Sequence, residues 1–498
     1  MAISKIFDKE GGREFLYFVV TIILSSAAYY FSTGVYNCWI LTWLAPIPLL
    51  VYALRGRSVY TILASFISYF FGLSSGILAY ANTIIPISIL VYANILDAIV
   101  FTIMVVLFRY LVLKEKHWVW SFVFASGWTA FEFSTAQHSP AGAIDSIAYT
   151  QVYNLPVGQI ASVTGIWGIT FLLLLVPASV ALAWYYRKNS KLWLRTIVIP
   201  LSILMMILIF GGYRLYGQSQ GPRVRIGMAA INMTVEDLLS RGQPQESEKI
   251  IGRYIDCIDL LSRSGAEVVL LPEKIAVLDL NDQAKQLERL ATAARRNQIR
   301  LIVGLSVQAD SKLYNSAYLF LPSGEIGLRY DKQHLLPYAE GRYTPGEKLG
   351  VSEVDGKGVW GIAICKDMDF EEPSRGYGQA GTNLLFVPAL DFKADELLRA
   401  RIAIMRGVEE NYAIARAAQW GLLSLSDNKG KIIKMESCAT EKDEVLVLGE
   451  IQLDQGKSIY SRFGNWFGYF AEGVFGLLML FFISLRRQTR KRTKLFGM

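Results

Sequence analysis

A chain of 498 residues has room for two or three soluble domains, yet 53% of it is hydrophobic, 13% aromatic and only 18% charged, where about a quarter charged is usual for a soluble protein. The net charge of +8 comes largely from a C-terminal tail and from short loops between apolar runs, which reads as membrane orientation rather than nucleic-acid binding. Cysteines at 38, 257, 365 and 438 match no zinc or haem spacing and no dense disulfide framework, and three histidines are too few for a His-rich metal site, so no cofactor is expected.

Seven apolar runs long enough to cross a bilayer lie at 15–32, 37–54, 59–81, 86–113, 118–135, 158–185 and 196–213, and an eighth lies at 465–485. Cys38, inside the second run, is expected to be packed. The first run lacks a small-residue cleavage site and is expected to remain as an anchor. With the N-terminus inside, the inner segments hold Lys5, Lys9 and Arg13, then Arg55 and Arg57, Lys114 and Lys116, and Arg187, Lys188, Lys191 and Arg195. The tail adds Arg486, Arg487, Arg490, Lys491, Arg492 and Lys494, while the outer loops near 33–36, 82–85 and 136–157 hold no Lys or Arg. The positive-inside rule then predicts eight spans with both ends in the cytoplasm. The expected division is a seven-span membrane domain over 1–213, an extracytoplasmic domain over 214–464, the eighth span over 465–485 and a basic cytoplasmic tail over 486–498.

Within the polar part, short β-rich runs at Val224–Ile231, Val268–Leu271, Leu301–Val307, Ala317–Leu321, Gly361–Cys365, Leu384–Val387, Ala413–Ala417, Leu422–Ser426 and Val445–Ile451 alternate with helical patterns at 246–264, 281–297 and 394–410. Alternation of this kind gives an α/β class.

Three segments end or follow a strand-like run with a reactive residue: Leu270-Leu271-Pro272-Glu273, Tyr330-Asp331-Lys332-Gln333-His334-Leu335-Leu336-Pro337, and Gly361-Ile362-Ala363-Ile364-Cys365-Lys366-Asp367. Each alone has an ordinary explanation: a helix N-terminal carboxylate, a solvated lysine, a small buried hydrophobe. Their joint occurrence, with Glu273, Lys332 and Cys365 separated by 59 and 33 residues, marks a candidate site. His138, before Ser139-Pro140, is expected to be a loop residue, and Asp97, in the fourth run, to face other helices.

In this order the three segments resemble the nitrilase, or carbon–nitrogen hydrolase, superfamily with its Glu-Lys-Cys triad. Joined to eight spans, the sequence resembles the bacterial apolipoprotein N-acyltransferase family over nearly its whole length. Further motifs carry the likeness: Glu340 eight residues after Lys332, Pro345-Gly346, the run from Arg399-Ala400-Arg401 to Arg406-Gly407-Val408-Glu409-Glu410-Asn411, and Thr164-Gly165-Ile166-Trp167-Gly168. Lys366 and Asp367 stand where the family usually has an aromatic and then Glu, and Lys274 where it usually has a small residue.

The resemblance implies an α-β-β-α sandwich facing the periplasm or outside of a bacterial cytoplasmic (inner) membrane. It also implies a phospholipid acyl donor, a diacylated lipoprotein acceptor, and a membrane enzyme expected to be monomeric. In that chemistry Glu273 is the general base, Cys365 the nucleophile, and Lys332 with the backbone N–H of Lys366 the oxyanion donors; Glu340 is a supporting carboxylate and Asp367 a neighbour of the site. Tyr213, Tyr216, Trp466 and Phe467 form either a lipid-facing rim or interfacial anchors. At the level of residues two other readings stand: a membrane-tethered amidase passing the acyl group to water, and an idle lipid- or partner-binding module.

Overall fold

The computed structural model describes residues 9–496 apart from 82, 218, 234–242, 338 and 441, so Lys5 and the end of the tail lie outside the described residues. Six helices among these are long and apolar enough to cross a membrane: Gly11–Ser32, Ser58–Tyr80, Ile87–Lys114, Ile166–Tyr186, Ser190–Tyr216 and Trp466–Arg487. Two of the eight expected runs differ. The run 37–54 divides into Trp39–Leu44 and Pro46–Ala53, because Pro46 has no N–H to continue the first helix and favours starting the second. The helix Trp120–His138 carries Glu132, whose carboxylate accepts bonds from Trp128 Nε1 at 2.8 Å, Ser146 Oγ at 2.8 Å and Thr170 Oγ1 at 2.9 Å. That polar content makes it less apolar than its neighbours.

The sixth run also starts later than its composition suggests. Residues 155–164 form two short turns, and the long helix begins at Ile166 after Gly165 at φ 65°, a left-handed conformation that favours glycine. That helix is 89% buried, against 11% for Ser190–Tyr216 and Trp466–Arg487, so it forms the centre of the bundle and the other two its perimeter. Cys38 is exposed in the turn before Trp39 rather than packed. His138 closes its helix rather than lying in a loop, with Nδ1 2.8 Å from the Ser134 carbonyl, and Asp97 is half-buried.

Between the last two of these helices the chain forms an α-β-β-α sandwich. Its strands are β1 (Arg223–Ile231), β2 (Val268–Leu270), β3 (Val277–Leu278), β4 (Arg300–Ala309), β5 (Lys312–Phe320), β6 (Ile326–Asp331), β7 (Gly350–Val354), β8 (Gly358–Ile362), β9 (Thr382–Leu390), β10 (Ala413–Gln419), β11 (Leu422–Ser426), β12 (Ile432–Ser437) and β13 (Glu444–Gln452). One sheet runs β13-β1-β2-β4-β5-β6 with β3 beside β4, and the other β12-β11-β10-β9-β8-β7. Ile226, Met228, Val268 and Ile302 of the first sheet meet Ile362, Leu384, Phe386 and Ala415 of the second in one apolar layer.

Helices Pro244–Arg263 and Gln283–Asn297 cover the outer face of the first sheet. Helix Glu396–Glu410 covers the second, and its Ile402, Met405 and Val408 share a single apolar cluster with Ile166, Leu172 and other bundle residues. The sandwich therefore sits on the helical bundle through its own helix layer. Strands β3, β6, β7 and β12 were not expected. β6, β7 and β12 carry partly exposed positions, and β6 and β12 are edge strands that need no continuous apolar run. Cys365 also departs from expectation: β8 stops at Ile362, and Cys365 opens a turn of 3-10 helix to Asp369.

Candidate active site

Each of the three marked segments leaves a strand and delivers a side chain to one buried place. Glu273 follows β2, where Gly304 of β4 lets the two backbones close up; a Cβ there would meet Pro272 O and Glu273 Cα at 2.6 Å. Lys332 follows β6, with its N–H bonded to Asn315 O at 2.9 Å. Cys365 follows β8 at φ 47°, a strained conformation for a residue with a Cβ and one that recurs at functional turns.

Glu273, Lys332 and Glu340 are all at most 3% exposed. Lys332 Nζ donates to Glu273 Oε1 at 2.8 Å and to Glu340 Oε2 at 2.9 Å. Asn315 Nδ2 donates to the same two carboxylates, at 2.6 and 2.7 Å. Lys274 Nζ reaches Glu340 Oε1 at 2.5 Å and lies 3.9 Å from Glu273 Oε1. Two carboxylates and two ammonium groups thus alternate around a closed ring of zero net charge. Burial works against the charged lysine, but Glu273 and Glu340 outweigh it and hold Lys332 protonated far into the alkaline range. Burial likewise raises Glu340, yet Lys332 and Lys274 prevail and keep it ionised well below the ordinary carboxylate range.

Cys365 lies beside this ring. Burial and the charge of Glu273 push its thiol up, with Lys332 pulling the other way. The resting sulfur is therefore a protonated thiol, whose Sγ is 3.7 Å from the Leu390 carbonyl. A base next to it is needed to release the nucleophile.

Asp367, fully buried, fixes the turn. Its Oδ2 accepts from Ile364 N at 3.0 Å and Tyr330 OH at 2.8 Å, and its Oδ1 from His334 N at 2.8 Å and Gln333 N at 3.2 Å. One carboxylate so ties the cysteine turn to the segment that carries Lys332. Lys366 leaves the site: its Nζ bonds the Pro140 carbonyl at 2.5 Å and lies 4.5 Å above the Phe370 ring, on which His334 stacks. Only its backbone N–H remains next to Cys365.

Asn315 and Lys274 escaped the sequence reading as members of the site. An asparagine at the start of the apolar half of β5 was the available signal for the first. Tyr213 and Tyr216 are strongly exposed, whereas Trp466 is partly covered and bonds the Val163 carbonyl at 2.7 Å through Nε1. No cluster of three or more potential metal ligands occurs among the described residues.

Residues 25–179 match the apolipoprotein N-acyltransferase N-terminal domain, and residues 229–459 match carbon-nitrogen hydrolase. Apolipoprotein N-acyltransferase of Geobacter metallireducens is 26% identical over 396 residues, covering 73% of this chain and 74% of that protein. The Nostoc protein of the same name is 25% identical over 71% of this chain and 74% of its own. Deaminated glutathione amidase of Synechocystis is 33% identical over 184 residues, 32% of this chain and 65% of that protein. Matched in this order over both its helical and its α/β part, the chain belongs to the apolipoprotein N-acyltransferase family of the carbon–nitrogen hydrolase superfamily.

Proposed function

We propose that this membrane enzyme moves a fatty acyl chain from a phospholipid, through a thioester on Cys365, to the N-terminal amine of a diacylglyceryl-cysteine lipoprotein. The observation that carries the reading is the buried Glu273–Lys332 pair beside a cysteine held at positive φ. Glu273 takes the thiol proton and Sγ attacks the ester carbonyl carbon. Lys332 and the N–H of Lys366 hold the oxyanion. Collapse expels the lysophospholipid alkoxide, which receives the proton from Glu273, and leaves the thioester. The acceptor amine then attacks the thioester carbonyl, Glu273 removes its proton, and the thiolate departs and is reprotonated.

A covalent intermediate suits two bulky lipid substrates, because they need not be bound together. Two of the three Lys- and Arg-free loop regions, 33–36 and 136–157, reach the sandwich, and so does Tyr80 at the helix end before 82–85. Arg401 bonds Gly34 O at 2.5 Å and Tyr36 O at 3.0 Å, Tyr80 OH bonds Asp395 at 2.7 Å, and Lys366 bonds Pro140. This supports eight membrane crossings with the sandwich over 214–464 on the outer side of the cytoplasmic membrane, the divided run 37–54 and the more polar helix Trp120–His138 completing the count. The protein then works as a monomer at the bilayer surface.

Intact-protein mass spectrometry after incubation with phospholipid vesicles tests the reading. A one-acyl gain, lost in Cys365→Ala and removed by hydroxylamine, is expected, and a diacylated lipopeptide should discharge it. Wild-type protein that gains no acyl group from any common phospholipid refutes the donor assignment. Discharge to water alone favours the amidase reading.

A further inference from the structure

Lys274 stands directly after Glu273, and successive residues of an extended chain normally point to opposite sides. Here the alternation is broken: Lys274 adopts φ 48°, a conformation that a lysine adopts only at an energetic cost. The consequence is that neighbouring residues present a carboxylate and an ammonium group to the same buried ring. Lys274 is 7% exposed, bonds Glu340 Oε1 at 2.5 Å, and lies 5.3 Å from the centre of the Tyr343 ring. Tyr343 is itself held by Ser306, 3.0 Å away.

We infer that Lys274 is a positioning residue that sets the charge of the ring: it neutralises Glu340, so that the charge of Lys332 remains available to the Cys365 thiolate and to the oxyanion. The statement rests on the proposed acyl transfer and deepens it. With a small residue at this position, Glu273, Glu340 and Lys332 would sum to one net negative charge beside a group that must itself become negative. With Lys274 the sum is zero. Two carboxylates sharing one lysine would also compete for its three N–H donors, whereas Glu340 here has Lys274, Asn315 and the Leu336 N–H at 2.8 Å as further donors.

The charge makes a prediction that packing does not. Removing one cation makes the acidic groups of the ring hold their protons to higher pH, whichever of them limits the reaction. The experiment is the pH dependence of Cys365 alkylation by iodoacetamide in the full-length, detergent-solubilised protein, read on the Cys365 peptide by mass spectrometry. Lys274→Gln keeps a hydrogen-bond donor but no charge, and its profile should move up by about one pH unit, roughly a tenfold loss of rate on the acid limb. Lys274→Arg should stay at the wild-type position.

An unmoved profile in Lys274→Gln overturns the inference, and so does an equal shift in Gln and Arg variants, which would assign the residue to packing. Glu340→Gln should move the profile the other way, and Lys274→Gln/Glu340→Gln should bring it back. A double variant that fails to return also overturns the inference, and this comparison stands even where the single Lys274 variant does not fold. Alkylation needs no lipid. Failure of acyl loading in the wild type is therefore a separate result, bearing on the acyl-transfer reading and not on the ring.

Discussion

Lys366 Nζ lies 2.5 Å from the carbonyl oxygen of Pro140, so the residue after the proposed nucleophile is fastened to the loop preceding the central helix of the bundle. Two neighbouring contacts belong to the same fastening. Ala143 N donates to Asp369 O at 2.9 Å, and Gly142, at φ 64°, approaches so closely that a Cβ would lie 2.4 Å from that carbonyl. The turn Cys365–Asp369 is thus seated on the membrane part as well as on its own sheet.

Releasing that seat should slow acylation without abolishing it. Lys366→Met keeps the stem that packs on Phe370 but loses the ammonium bond to Pro140. A fall in the rate of acyl loading of about tenfold is expected, equivalent to ~1.4 kcal/mol in the barrier. Single-turnover loading from phospholipid vesicles measures it. An unchanged rate would mean that the loop contributes nothing to the geometry of the turn.

Asp367 gives the turn a pH signature. Burial raises its carboxyl to about 6 from 3.8, against the lowering influence of His334 N–H, Lys332 and Tyr330. The folded state therefore holds this proton more tightly than the unfolded state. The associated stabilisation is fully present below the unfolded value near 3.8 and is lost as pH rises through about 6. Relative to Asp367→Asn, the wild type should lose up to ~3 kcal/mol between pH 4 and 7. Thermal melts of both proteins across that range, in one detergent, test the slope; parallel curves refute it.

Arg401 should matter to the union of the two parts more than to the chemistry. It is 1% exposed, and its guanidinium donates to Gly34 O, Tyr36 O and Asn37 Oδ1 at 2.5, 3.0 and 2.8 Å. These acceptors all belong to the first outer loop. Arg401→Met leaves them short of donors, at a cost of about 3 kcal/mol. Faster limited proteolysis between bundle and sandwich, with Cys365 alkylation retained in the intact fraction, is the expected result.

The sequence made the class of fold legible because its signals there are redundant. Apolar runs of fixed length, charges sorted between loops and β-rich runs in alternation all point the same way. Local breaks were not legible to the same degree. Pro46 and Gly165 divide runs whose average composition is uniform, and Glu132 makes one helix more polar without ending it. At the site, Glu273, Lys332, Cys365, Glu340 and Asp367 stood out through motif and order. Asn315 did not, since it comes from a strand that carries no reactive motif. Lys274 was visible only as a departure from the family pattern; its role depends on a backbone conformation that spacing does not encode.

Asn315 allows the strictest separation of stability from chemistry. Its amide Nδ2 is the common donor to Glu273 and Glu340, at 2.6 and 2.7 Å, in a place where water does not replace it. Asn315→Leu keeps the approximate size of the side chain but leaves two buried carboxylate oxygens each short of one bond, which should cost about 1–3 kcal/mol of stability. The ring would then rest on its lysines and, at Glu340, on the Leu336 N–H, so Glu273 would be freer to rotate away from Cys365. The expected outcome is a lower melting temperature together with slower acyl loading. Asn315→Asp should be worse on both counts, because a third carboxylate joins two that already share their cations. A variant that melts earlier yet loads at the wild-type rate would show that Asn315 holds the fold without orienting the base.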